Sequence, residues 1–456
     1  MSTSHPRGLY LLFATEMWER FSYYGNRALL ALFMISALSF DKQFTAALYG
    51  QYTGLVYLSP LIGGYVADRF WGNRRSILVG GALMAAGQFT LFLAGSFYTR
   101  LELAIPLFYC GLGLIIAGNG FFKPNISSMV GQLYSAHDSR KDAAYTIFYM
   151  GINLGSFMAP LVCGTLGDTG NPADFRWGFL AAGVGMLLSL LVFRTLQHRY
   201  LHAPDGAPIG LPPRRLSAEE KQRVDTSLTT VDLDRMLVIG VVCFFVIFFW
   251  SAFEQAGVSL TFLASESTDR TLFGWTMPTA WFQSLNPVFV LLFAPLLAQL
   301  WSVLARKNRE PASPTKMAIG LLLLSAGFLV IAVGVQQIAP GVKMSMLWLV
   351  AMYWLHTLGE LCLSPIGLSL VNKLAPAKFA SLLMAVWFLA NAAANWFAGV
   401  LAGFYPEAGK PAPVFLGWQI GNLADFFMLF VVMALVAGAL LLLLTGALQK
   451  RMHGVR

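Results

Sequence analysis

Thr15-Glu-Met-Trp-Glu-Arg-Phe-Ser-Tyr-Tyr-Gly-Asn-Arg27 places Glu16, Glu19, Arg20 and Arg27 inside an otherwise apolar run, residues 9–38, long enough to cross a bilayer. On a helix, positions 16, 19, 20, 23 and 27 share one face, so both acids, both bases and Tyr23 form one stripe. A charge at the membrane centre costs about 2.5–3.5 kcal/mol on insertion scales, so four in one span need a common reason. A water-filled, charge-paired cavity supplies that reason, and lipid does not. The segment is therefore expected to line the interior of a helical bundle.

Composition points the same way. Of 456 residues, 57% are hydrophobic and only 12% charged, with 36 Phe, 12 Trp and a mean hydropathy of +0.63, too apolar for a soluble chain of this size. An all-α polytopic membrane protein is expected. The stretch before the first apolar run, Met1 to Gly8, has one Arg and no cleavage pattern, so the first helix is expected to be retained. Cys110, Cys163, Cys243 and Cys362 each fall in an apolar span without metal-ligand spacing, and are expected as buried thiols with no metal site.

Twelve apolar segments can be read: 9–38, 46–68, 76–97, 103–130, 143–166, 177–196, 235–264, 274–304, 317–338, 345–372, 379–404 and 418–447. They are too long, and alternate too little, for barrel strands. Of the 31 Lys and Arg, Arg20, Arg27 and Lys123 lie within segments. Six more, Lys42, Arg100, Arg176, Arg270, Lys343 and Lys410, lie on one side of the proposed membrane, and the rest lie on the other. This asymmetry puts both termini in the cytoplasm and requires an even number of spans. The net charge of +9 thus reads as membrane orientation, with no nucleic-acid partner.

A polar insert rich in Pro and Gly, residues 198–234, divides the spans six and six. The expected organisation is a six-helix bundle at 1–197, a cytoplasmic linker at 198–234 and a second six-helix bundle at 235–456. Within the linker, Leu216–Leu233 could form a short surface helix. Spans four and ten also carry a trace of repetition, aligning Gly118 with Gly359, Pro124 with Pro365, Ser128 with Ser369 and Val130 with Val371. Parallel six-helix halves would produce it.

The intramembrane charges are the chemistry-bearing set. The first half holds Glu16, Glu19, Arg20, Arg27 and Lys123, one net positive charge; the second holds Glu254 and Glu360, two negative charges. A positive wall facing a negative wall suits a ligand with a carboxylate at one end and an ammonium at the other, such as an amino acid or short peptide. One Glu could also take a proton. Structural ion pairing between helices is the plainer alternative. Tyr23, Tyr24, Tyr57, Tyr149, Trp250 and Trp387 could line such a cavity or simply pack. Asn153 could bond a neighbouring helix or a ligand terminus, and His356 could relay protons to Glu360, although packing suits a lone buried histidine better.

Gly63-Gly-Tyr-Val-Ala-Asp-Arg-Phe-Trp-Gly-Asn-Arg-Arg75 closes the second span and, by itself, reads as a basic cytoplasmic turn in which Asp68 pairs with Arg69, Arg74 or a helix end. Its pattern resembles the signature loop of the major facilitator superfamily, implying the major facilitator fold of twelve transmembrane helices in two six-helix bundles. Glu16-x-x-Glu-Arg-Phe-x-Tyr-Tyr-Gly25, Phe121-Phe-Lys-Pro-Asn125 and Phe148-Tyr-x-x-Ile-Asn-x-Gly-Ser156 go further. With Phe253-Glu-Gln-x-Gly257 and Gly359-Glu-Leu-x-Leu-Ser-Pro365, they resemble the proton-dependent oligopeptide transporters across both halves.

That resemblance implies a proton-coupled symporter importing di- and tripeptides by alternating access across a bacterial-type inner membrane. Protons would be the coupling ion, with no cofactor and no obligate protein partner. It implies that Glu16, Glu19, Arg20 and Glu254 handle the proton. Arg20 and Lys123 would receive the peptide carboxylate and Glu360 its amine. Asn153, Asn286, Tyr23, Tyr24, Tyr57 and Tyr149, with Trp250 and Trp387 in the cavity wall, would add hydrogen bonds and shape. Arg27 with Glu254 would form an outer gate pair and Lys123 with Glu360 an inner one. The chain departs from many bacterial members in lacking two extra helices between the halves, since 198–234 is too polar for them. Three rivals remain: a drug or sugar antiporter, an anion carrier, and a membrane enzyme. The first need not carry the acid–base stripe with Lys123 and Glu360, the second has less use for an acidic wall, and the third would want a nucleophile or metal cluster.

Overall fold

Long apolar runs must satisfy their backbone polar groups internally, and helices are how this chain does so. The computed structural model describes residues 4–135, 138, 140–212, 229–376 and 379–454. Its helices are α1 (Arg7–Ser36), α2 (Lys42–Val66), α3 (Gly72–Ser96), α4 (Leu101–Gln132), α5 (Lys141–Gly167), α6 (Phe175–Tyr200) and α7 (Thr230–Phe253). There follow α8 (Ser259–Glu266), α9 (Leu285–Arg306), α10 (Ser313–Gly334), α11 (Met346–Leu374), α12 (Ala380–Ala402) and α13 (Leu423–Arg451). By length and hydropathy, 10 spans among the described residues could cross a membrane; α2 and α3 count together as Lys42–Ser96, and the charged α1 is not among them. The surface helix expected at Leu216–Leu233 falls, as far as residue 228, outside the described residues.

Contacts divide the chain into two compact units, Met1–Asp41 with Leu55–Arg214 and Met277–Pro287, and Lys42–Gly54 with Arg215–Thr276 and Val288–Arg456. Each contains the same small-residue crossing. In the first, a Cβ at Gly80 would lie 2.6 Å from the Gly118 carbonyl oxygen, and one at Gly118 would lie 2.5 Å from that of Gly80. In the second, Gly320 and Gly359 meet in the same way at 2.7 Å each. Two turns further along α3 and α10, Gly87 admits Ile115, and Gly327 admits the His356 imidazole. The sequence repeat thus marks a shared packing solution: backbones that touch because neither helix has a side chain there. Gly359→Leu is expected to destabilise by about 3 kcal/mol, the upper end of the overpacking range, seen as a lower unfolding temperature in detergent. Gly113→Leu on α4, where a Cβ meets nothing within 4 Å, should leave it unchanged.

Several segment edges move. The seventh expected span, 235–264, is broken: α7 ends at Phe253, a 3-10 turn covers Glu254–Gly257, and α8 follows. Tyr49 packs against Gly257 where a Cβ would collide. Gln255 compensates for the break, its Nε2 donating to the carbonyls of Ser251 and Ala398 at 3.0 Å each and its Oε1 accepting from Ser259 Oγ at 2.6 Å. The eighth segment, expected from 274, becomes helical only at Leu285: Thr268–Asp269 (β1) pairs with Met344–Ser345 (β4), Thr271–Leu272 (β2) and Trp275–Thr276 (β3) form a hairpin, and Thr279–Ser284 is a 3-10 turn. The last helix starts at Leu423, not 418, capped by Asn422 Oδ1, which accepts from the Asp425 amide at 2.9 Å. Before it, Val414–Phe415 (β5) and Trp418–Gln419 (β6) make a second hairpin. Among the cysteines, Cys163, Cys243 and Cys362 are buried, but Cys110 is exposed. It lies on the α4 stripe of Leu103, Pro106, Gly113 and Ala117, turned away from α3.

The basic turn is also not a loop. Ala67–Trp71 continues α2 as a π-helical turn, and Gly72, at φ 73°, leads directly into α3. Only glycine fits there, since a Cβ would meet the backbone of Leu211 and Pro212 at 2.5–2.6 Å. Asp68 is exposed and has no ion-pair partner among the described residues. Arg74 is buried and turns elsewhere: Nε donates to the Ile209 carbonyl at 2.7 Å and Nη2 to that of Leu201 at 2.6 Å. Its amide donates to the Gly210 carbonyl at 3.0 Å, while Gln132 Oε1 accepts from the Gly210 amide at 3.2 Å. The start of the linker is therefore a strap tied across the ends of α3 and α4 by charge-assisted hydrogen bonds.

Candidate functional site

α1 carries the densest chemistry, and its placement explains how charges survive there. Gly155 on α5 lies against the Met17 carbonyl and 3.1 Å (as a Cβ) from the Arg20 Cβ, so α5 closes over the charged turn. Glu16, Glu19 and Arg20 are all buried. The Arg20 guanidinium bridges both acids: Nε lies 2.5 Å from Glu19 Oε2 and 3.2 Å from Glu16 Oε1, while Nη2 donates to Glu19 Oε1 at 2.7 Å. Glu16 Oε2 is buried with no hydrogen-bond partner among the described residues. One guanidinium thus serves two carboxylates, and one carboxylate oxygen has capacity to spare. That is an arrangement poised to accept a proton or exchange partners.

Aromatic faces extend the site along α1. Arg20 lies over the Tyr23 ring at 5.2 Å and Arg27 over the Tyr24 ring at 5.9 Å, and the two tyrosines meet edge to face at 5.2 Å. From α4, Lys123 places its Nζ 4.3 Å from the Tyr57 ring centroid. It is within electrostatic reach of Glu16, Glu19 and Arg20. The structure therefore gathers Glu16, Glu19, Arg20, Tyr23, Tyr24, Arg27, Tyr57 and Lys123 in the first unit. On α5, Asn153 Nδ2 donates to the Tyr149 carbonyl at 2.9 Å, one turn back on its own helix, while Tyr149 is 41% exposed. Asn286, half-buried, belongs to the same unit.

The second unit holds Trp250, Glu254, Glu360 and Trp387. Glu254 is buried in the turn that breaks α7, and Glu360 is half-buried on α11. Trp250 stacks edge to face on Phe253 at 5.1 Å, and Trp387 fills the space opposite Gly367. His356 sits between Phe328 at 4.6 Å and Phe253 at 6.2 Å, in the groove left by Gly327. That environment supports the packing role over the relay.

Two buried amides had no assigned part in the sequence reading. Gln88 Nε2 donates to the Ser22 carbonyl at 3.2 Å and Ser22 Oγ at 3.3 Å, pinning α3 to α1. Asn119, one turn before Lys123, is fully buried with neither side-chain atom hydrogen-bonded among the described residues. Their only signal in the sequence is an amide in an apolar run.

Comparison with known proteins supplies the context. The model of the POT family matches residues 74–209 and 217–415. The peptide transporter YePEPT of Yersinia enterocolitica is 34% identical over 99% of this chain and 96% of its own length. A di-/tripeptide transporter of Lactococcus lactis subsp. cremoris is 32% identical over 99% of the chain and 97% of that protein. Among solved structures, a POT peptide transporter in complex with alafosfalin superposes with a TM-score of 0.85 at 34% identity, covering 100% of this chain and 97% of the other. A POT family transporter in complex with 5-aminolevulinic acid gives 0.84 at 30%, covering 99% and 98%. Likeness at this level carries the major facilitator fold with it. The chain is thus a multi-pass membrane transporter, not an enzyme, and it belongs to the POT family.

Proposed function

We propose that this protein is a proton-coupled symporter importing di- and tripeptides by alternating access across a bacterial cytoplasmic membrane. It would have twelve spans, cytoplasmic termini and bundles at 1–197 and 235–456 joined by the 198–234 linker. The observation that carries the reading is Arg20 shared between buried Glu16 and Glu19. A proton on either acid weakens its hold on Arg20 and frees the guanidinium for a peptide carboxylate, a planar bidentate match. Loss of the proton reverses the exchange. Proton and peptide then travel together because the proton replaces Arg20 on a carboxylate and so leaves the guanidinium to the peptide.

The remaining roles follow from charge. Lys123 adds the second positive contact for the carboxylate, and Glu360 takes the amine. Tyr23, Tyr24, Tyr57, Tyr149, Asn153, Asn286, Trp250 and Trp387 supply shape and polar contacts. Glu254 joins Glu16, Glu19 and Arg20 in proton handling and pairs with Arg27 as an outer gate; Lys123 and Glu360 pair as an inner one. The coupling ion is the proton, with no cofactor, nucleic acid or obligate protein partner involved. Relatives named as peptide transporters support the substrate class, as does a relative solved with 5-aminolevulinic acid, whose name declares an amine and an acid.

The deciding experiment is uptake of radiolabelled dialanine into proteoliposomes, with an inward proton gradient and with the gradient collapsed. Gradient-dependent accumulation competed by other dipeptides is expected; no peptide uptake by a folded preparation would overturn the reading. Glu360→Ala is expected to weaken peptides with a free amine by tenfold or more, about 1.4 kcal/mol or above, and N-acetylated peptides much less. Competition assays against dialanine check this, and equal losses would remove the amine role.

A further inference from the structure

Between α12 and α13, Pro411-Ala-Pro-Val-Phe-Leu-Gly-Trp-Gln-Ile-Gly421 runs for eleven residues without a charge, on the side poor in Lys and Arg. Its centre is the β5–β6 hairpin, with Val414 opposite Gln419 and Phe415 opposite Trp418, closed by the Ile420 amide donating to the Pro413 carbonyl at 2.8 Å. The Phe415 ring packs edge to face on Phe404 at 5.3 Å, holding the hairpin against the end of α12. Its two-residue tip is Leu416-Gly417, with φ 49° and 85°. Asn-Gly is the pair that such a turn favours; a leucine is strained at positive φ, and this one is 93% exposed. Folding alone accounts for neither the strain nor the exposure.

The hairpin's position suggests a use. Leu416 and Trp418 line an open groove of about 460 Å³ with Phe244 and Phe248 of α7 and Val432 and Val436 of α13, and every other lining residue is apolar too. Phe244, Val432 and Val436 lie in membrane-spanning segments and are exposed. The groove is therefore continuous with the lipid-facing surface of a multi-pass membrane protein. We propose that the β5–β6 hairpin is a membrane-seated anchor: its Leu416 tip enters the outer leaflet, Trp418 takes the interfacial position its amphipathic ring favours, and the groove beneath holds a lipid acyl chain. The twin hairpin β2–β3 also carries an apolar residue at positive φ, Phe273, and is no part of the proposal.

The test places a polarity-sensitive nitrobenzoxadiazole label on Leu416→Cys, with exposed Cys110 replaced by serine and Ala408→Cys, in the exposed part of the same loop, as the water-side reference. The full-length protein is reconstituted in phosphatidylcholine–phosphatidylglycerol vesicles, with and without acyl-chain-brominated phosphatidylcholine. Brominated chains are expected to quench the label at 416 several-fold more than at 408, and aqueous iodide is expected to do the opposite. A 416 label quenched by iodide as strongly as the 408 label, and untouched by bromine, would overturn the proposal. Trp418→Cys provides a second position on the hairpin should the first variant fail to fold.

Discussion

Replacing Arg20 with alanine is expected to abolish peptide accumulation and to destabilise the folded protein by about 3–5 kcal/mol, the usual cost of stranding a buried charge. Two buried carboxylates depend on this guanidinium, at 2.5 and 3.2 Å from its Nε, and Glu16 already has one oxygen without a hydrogen-bond partner among the described residues. Removing Arg20 leaves like charges on adjacent turns in a site closed by Gly155 and the Met17 backbone. Arg20→Lys should recover part of the stability and little transport, because a single ammonium cannot span the two oxygens that the fork holds. Combining Arg20→Ala with Glu19→Gln separates the two effects. Stability should return in part, as one of the two stranded charges and the repulsion between them are removed, while uptake stays absent. Thermal unfolding and dialanine uptake on the same preparations check both; an alanine variant as stable as the parent would mean that the carboxylates are solvated.

Lys123→Ala is expected to eliminate gradient-driven accumulation. Its Nζ rests on the Tyr57 ring within the field of Glu16, Glu19 and Arg20, as the one lysine brought to the α1 charges among the described residues. Truncating one partner of a buried charge pair costs about 2–5 kcal/mol, more than tenfold in affinity. The loss should be large for peptides with a free carboxylate and small for C-terminally amidated ones. Uptake with and without the proton gradient, using both peptide types, reads out coupling and carboxylate recognition separately. A variant that still concentrates dialanine would exclude Lys123 from coupling.

The sequence was most legible where information is local or one-dimensional. Apolar runs of spanning length, the lopsided Lys and Arg distribution and the four charges of α1 needed no neighbours to be read. The reason is that the cost of exposing backbone or charge to hydrocarbon falls on each segment by itself. The Gly118/Gly359 alignment was faint as a pattern, yet it marks a close backbone crossing in each unit. The sharing of Arg20 by two acids was also foreshadowed, because the stripe of positions 16, 19 and 20 gathers these charges on one side of the helix.

What only the tertiary structure decided are the outcomes that depend on what a distant part of the chain brings alongside. Arg74 was one of three candidate partners for Asp68, with Arg69 and a helix end, yet it ties down Leu201 and Ile209, since the strap offers carbonyls that a buried guanidinium can use. The seventh span looked continuous, but Tyr49 presses on Gly257 and Gln255 takes over the broken ladder. Cys110 shares its apolar surroundings with three buried cysteines and is nevertheless exposed, because apolar composition does not distinguish a lipid-facing stripe from a packed one. Hydropathy determines that a residue avoids water. Whether it then meets lipid, a neighbouring helix or a paired charge is settled only when the helices come together.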